Sequence, residues 1–104
     1  MVWEIVRGSY GATYTATIED ENYTGFTAKL YVWARNNNKV LDGKSCTVSY
    51  SAPDTTISYL VATGDFPSTM ATGNYNGLVK LSRDSPPAEE RSLKFSLTVY
   101  EDEP

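Results

Sequence analysis

The chain has 104 residues, with nine Lys and Arg against thirteen Asp and Glu and no histidine. That length suits one domain with a two-layer core that needs no metal, the lone cysteine Cys46 excludes an intrachain disulfide, and the missing histidine removes the commonest general base and metal ligand. A net charge of −4, with the basic residues scattered along the chain, disfavours a nucleic-acid partner, which needs clustered Lys and Arg.

Val2 to Arg7 reads as a first strand closed by Gly8-Ser9, with both faces partly apolar. Ala12 to Glu19 alternates, with Tyr14, Ala16 and Ile18 on one face and Thr13, Thr15, Thr17 and Glu19 on the other. Glu19-Asp20-Glu21-Asn22 turns the chain. Phe26 to Arg35 is the longest strand candidate. Its inner set is Ala28, Leu30 and Val32, which sends Thr27, Lys29, Tyr31 and Trp33 outward. Asn36-Asn37-Asn38 is a turn, and Lys39-Val40-Leu41 a short return strand. Asp42-Gly43 is the strongest hairpin signal, suited to a type I′ turn.

Lys44 to Ser51 places Cys46, Val48 and Tyr50 on one face. After Ala52-Pro53-Asp54, Thr55 to Val61 forms a strand with Ile57, Tyr59 and Val61 inward. Thr63 to Met70 is an irregular or single-turn helical crossover, because Pro67 lacks the donor a central strand needs. Gly73 to Arg83 is a strand with Tyr75, Val79 and Leu81 inward. Asp84 to Glu90, with its Pro86-Pro87 step, is expected to be an unpaired loop. Arg91 to Tyr100 closes the domain, alternating Leu93, Phe95, Leu97 and Val99 with Ser92, Lys94, Ser96, Thr98 and Tyr100. Glu101-Asp102-Glu103-Pro104 is an acidic tail or the start of a linker.

Seven main strands and a short extra one, turning every ~8–12 residues, carry the signature of a β-sandwich. Gly73-Asn74-Tyr75-Asn76-Gly77 adds a tyrosine corner, in which the ring fills one end of an immunoglobulin-like sandwich and the hydroxyl satisfies a nearby backbone group. Gly77 stands where antibody domains carry the second cysteine of the inter-sheet disulfide. The expected fold is therefore an all-β, immunoglobulin-like antiparallel β-sandwich spanning residues 1–104 as one domain.

The candidate chemistry is sparse. Cys46 lies on a strand with no histidine to make its thiolate, so a buried structural thiol is expected. No His-based triad and no Gly-x-Ser-x-Gly exists. The acids Glu19, Asp20, Glu21, Asp54, Asp65 and Asp84 read as solvated turn residues, with no calcium-loop spacing and no facing carboxylate pair. Asn22-Tyr23-Thr24 matches the glycosylation sequon by chance. The reading is a non-enzyme with no catalytic, cofactor or metal site. Met1-Val2-Trp3-Glu4 has neither part of a signal peptide, and no apolar run suits a membrane. A single cysteine fits an intracellular or virion setting.

The outward aromatics carry the functional reading. In an immunoglobulin-like sandwich the strands bearing Tyr31 and Trp33, Leu78, and Tyr100 share one sheet, so these four residues are expected on one exposed face. They form a protein-docking patch, a sugar-stacking platform, or merely separate surface apolars. Leu78 amid the aromatics favours a protein interface.

A wider pattern joins Arg7-Gly8, Ile18-Glu19-Asp20-Glu21, Thr24-Gly25, Gly73-Asn74-Tyr75 and Phe95-Ser96-Leu97-Thr98-Val99. Over nearly the whole chain it resembles the N-terminal immunoglobulin-like domain of phage baseplate upper proteins, which often have Gly-Asp where this chain has Gly8-Ser9. The resemblance implies a structural adaptor that docks onto other phage tail or baseplate proteins, or onto further copies of itself. It implies a virion location after assembly in the bacterial cytoplasm, while the scattered basic residues and the lack of a long apolar run are what lead to the expectation of no nucleic-acid or membrane partner. A carbohydrate-binding module that aids adsorption to a host surface is the alternative.

Overall fold

The computed structural model describes residues 2–34, 36, 38–84 and 87–101, with the side chains of Val2, Asp84 and residues 87–91 left out of that description. Arg35, Asn37, Ser85-Pro86 and the acidic end at 102–104 lie outside the described residues. Among the described residues seven strands form: β1 Val2–Val6, β2 Thr13–Ile18, β3 Thr27–Trp33, β4 Lys39–Ser51, β5 Asp54–Leu60, β6 Gly73–Asp84 and β7 Pro87–Tyr100. Hydrogen-bonded neighbours run β1-β7-β6-β3-β4-β5-β2. The first part of β4 pairs with β3 and the last part with β5, so the run folds over at β4 into two facing layers. The β1–β7 pair is parallel, an exception within the expected antiparallel sandwich.

The inward sets follow the period of two. Ala28, Leu30 and Val32 of β3, Val79 and Leu81 of β6, and Leu97 and Val99 of β7 are buried against Ile57 and Tyr59 of β5 and Val61 beyond it. Each such large apolar side chain contributes about 1.5–3 kcal/mol when fully buried. Tyr75 is buried, and its hydroxyl donates to the Ala71 carbonyl at 2.5 Å, which is the tyrosine corner anticipated from Gly73 to Gly77. With that corner, this strand order is an all-β immunoglobulin-like sandwich.

Aromatic rings cross the layers where antibody domains place a disulfide. A Cβ added at Gly77 would overlap the Phe95 ring. Phe95 packs on Trp3 with ring centroids 4.3 Å apart, and Trp3 stacks on Tyr14 of the opposite layer at 5.0 Å. The Tyr14 hydroxyl then donates to the Glu4 carbonyl at 2.6 Å, tying β2 to β1, the two outermost strands of the run.

Two expectations are corrected. Asp42-Gly43 makes no hairpin, because β4 continues through it. Leu30 faces Lys44 while Tyr31 faces Asp42, which leaves Gly43 unopposed at φ +73° as a β-bulge. Positive φ serves a bulge as well as a turn, and the long β3 offered a partner throughout. The bulge also switches parity, so Leu41 before it and Cys46 and Val48 after it all face inward. Second, residues 84 and 87–89 do pair: Ser82 lies opposite Glu89, Arg83 opposite Ala88 and Asp84 opposite Pro87. Pro87 begins its strand, where a missing N–H is tolerated. Tyr50 keeps the parity of Cys46 and Val48, as expected, but is exposed. It lies at the end of β4, next to the turn into β5.

Candidate functional site

β3 alternates buried Ala28, Leu30 and Val32 with half-buried Lys29, Tyr31 and Trp33 that face away from the core. β6 does the same, with Asn76, Leu78 and Lys80 outward. The register sets Tyr31 beside Leu78 and Leu78 beside Lys94, Trp33 beside Asn76, and Lys29 beside Lys80. Tyr31, Trp33, Lys39, Leu78 and Lys80 line a groove of about 350 Å³. Trp33 and Leu78 are also walls of an adjoining depression of about 290 Å³ that reaches Asn76 and Lys94.

Three of the four anticipated residues thus meet. Tyr100 has the same outward parity but lies ~20 Å beyond Lys94 along β7 at ~3.3 Å per residue, and its hydroxyl approaches Glu4 Oε1 at 3.4 Å. Parity placed it on this face; its position along the strand removes it from the groove. Trp33 is not packed inside the sandwich. The interior tryptophan is Trp3.

Sequence reasoning missed the lysines. Scattered in the chain, Lys39, Lys80 and Lys94 converge on the groove, with Lys29 held to Ser45 Oγ at 3.0 Å alongside. Lys39 pairs with Asp42 at 3.3 Å, an exposed bridge of little strength. Lys80 could have been found from its parity with Leu78, whereas Lys94 needed the β6–β7 register.

The Asp65 carboxylate is buried, so solvation does not describe it as it does the exposed Glu19 and Asp20. It accepts from the Tyr59 hydroxyl and, at 2.9 Å, from the Ala62 N–H, with Lys44 Nζ at 3.8 Å. Burial raises the Tyr59 hydroxyl pKa, and the bond to Asp65 adds to it. This network pins the crossover to β5 and β4. Cys46 is half-buried rather than fully buried. Burial pushes its thiol up to about 11 against an opposing effect of Lys29, which leaves a poor nucleophile near neutrality. Among the described residues, no group of three His, Cys, Asp or Glu is placed to hold a metal.

The opposite end of β3 is acidic. Glu19 and Asp20 are exposed, and the Asp20 N–H donates to Asp54 Oδ1 at 3.1 Å. Thr55 donates to the Glu21 carbonyl at 2.7 Å and accepts from the Tyr23 N–H at 3.0 Å, locking the β2–β3 loop onto β5. In the Asn22-Tyr23-Thr24 sequon, Tyr23 is buried and Asn22 Oδ1 accepts from the Thr24 N–H at 2.9 Å. A further depression, about 490 Å³, lies by Ala34 and residues 71–75, where the Tyr75 hydroxyl is already engaged.

No protein-family model matches the chain, and no curated protein matches it in sequence. Among solved structures it is similar to the NK cell receptor NKp44, described as a triggering partner in natural cytotoxicity, at 15% identity and TM-score 0.47, covering 95% of this chain and 96% of that one. It is also similar to the I67–I69 fragment of titin at 16% identity and TM-score 0.34, spanning 29% of that fragment.

Proposed function

We propose that this protein is a non-enzymatic docking module that grips other proteins through the groove of Tyr31, Trp33 and Leu78, and that its setting is a phage tail or baseplate. The carrying observation is the groove itself: two aromatics and an aliphatic, each half-buried and adjacent on a rigid sheet face. Aromatic anchors beside aliphatic surface, with charge kept to the rim, is the composition of a protein interface core. Leu78, opposite Tyr31, adds an aliphatic to the flat stacking surface a sugar would use. The chain has no histidine, and its cysteine is held protonated, which supports a binding role over a catalytic one. The phage setting rests on the resemblance carried by Gly73-Asn74-Tyr75, Thr24-Gly25 and the closing strand.

The test is Trp33→Ala, examined in tail particles and in isolation. The expected result is loss of attachment to the particles with an unchanged thermal midpoint. Unaltered attachment, together with lost retention on a glycan array, would overturn docking in favour of sugar binding.

A further inference from the structure

The molecule carries both halves of one complementary contact, and we infer that the groove is filled by the Ala52-Pro53 tip of a second copy of this chain, head to tail. This inference rests on the docking reading of the groove.

The groove is lined by Trp33, Tyr31 and Leu78 together with Lys39, which pairs with Asp42, and Lys80, and Lys94 lines the depression beside it. The turn between β4 and β5 has the inverse arrangement. Ala52 and Pro53 are exposed at its tip, and Asp54, Asp20 and Glu19 flank them, with Asp20 fastened to Asp54 through its N–H. A proline ring against Trp and Tyr faces, ringed by carboxylates that meet lysines, satisfies both the apolar and the charged parts of the groove. The charge pattern is selective: the chain is net −4, yet this face gathers three of its nine basic residues at the groove and the depression beside it.

Geometry prevents a copy from filling its own groove. β4 begins at Lys39, beside Trp33, and ends at Ser51, beside Asp54, so groove and tip stand at opposite ends of the same strand. The contact must be between copies and uses two different surfaces. It is therefore heterologous and propagates into a ring or filament instead of closing as a two-fold dimer. A single turn in a groove is a small interface, so the affinity belongs at the weak end, in the ~10–500 µM range.

Sedimentation of the whole chain up to ~1 mM tests this, at ~20 mM and ~500 mM salt. Concentration-dependent association that weakens in high salt is expected. Trp33→Ala should weaken it ~30-fold or more, and Glu19→Lys, at the rim of the tip, ~10-fold. The decisive measurement mixes these two variants. Trp33→Ala keeps an intact tip and Glu19→Lys an intact groove, so the mixture should form a 1:1 dimer that grows no further. A symmetric dimer indifferent to Glu19→Lys would overturn the head-to-tail contact. So would Trp33-dependent binding of a single-stranded oligothymidylate, which would assign the lysines to phosphates. A chain that stays monomeric throughout, yet loses particle attachment on Trp33→Ala, would overturn the self-contact alone and leave the docking function standing.

Discussion

The two tryptophans occupy opposite worlds of the same sheet. Trp3 on β1 is buried between Phe95 and Tyr14, filling the space across which antibody domains place a disulfide. Trp33 on β3 has its ring on the outer face, half-buried among Tyr31, Leu78 and lysines. Residue type is the same, and the difference lies in which side of the pleat each one takes. Burial on both faces of a ring makes it a structural element; burial on one leaves apolar surface for a partner to cover.

The strongest way to break this contrast is to truncate both. Trp3→Ala should cost about 3–5 kcal/mol, because Tyr14 and Phe95 lose their shared partner. Denaturant midpoints measure it, and a cost below that of Trp33→Ala would invert the assignment. Gly77→Ala attacks the same plug from beneath, by driving a methyl into the Phe95 ring. Its cost belongs toward the upper end of the ~1–3 kcal/mol typical of overpacking, and a combined Phe95→Leu change should restore part of it. Tyr75→Phe removes the corner hydroxyl from Ala71 and should cost about 1–3 kcal/mol by the same measurement.

A thiol reporter sharpens the comparison further. Cys46 faces inward, and burial holds its thiol at about 11. A raised acid pKa means the folded state prefers the protonated form. The resulting stabilisation is complete below the ordinary thiol range near 9, and it is lost as pH climbs through about 11. Thiol labelling at pH 8 should be slow, accelerated by Trp3→Ala and untouched by Trp33→Ala. The smallest effect is Trp33→Ala on stability itself, within ~0.5 kcal/mol, as for an ordinary surface change.

Much of this architecture was legible because alternation records burial directly. Ala28-Leu30-Val32 and Tyr75-Val79-Leu81 announced their inner faces, and Tyr75 announced the corner. What stayed hidden needed a partner strand to be seen. Gly43 carries the same local preference in a turn or a bulge, and only its pairing with β3 decides between them. Pro87 reads as a breaker until it is found at a strand's first position. Asp65 reads as a solvated acid, since nothing nearby in sequence reveals that Tyr59 and Lys44 will enclose it. Trp33 and Leu78 could be placed on one face by parity, whereas excluding Tyr100 and adding Lys94 required the offset between β6 and β7.

The parallel β1–β7 pair has a mechanical consequence. Val2 starts opposite Ser96 and Val6 ends opposite Tyr100, and the Arg7 N–H extends the ladder to the Tyr100 carbonyl at 2.9 Å. A pull on the two ends of the chain therefore enters this pair at opposite extremities. Such a load shears the rungs together, whereas an antiparallel pair pulled from adjacent ends would unzip one rung at a time. Under tension the sandwich should yield in a single event, at a force set by the β1–β7 ladder and the Trp3 ring that anchors it.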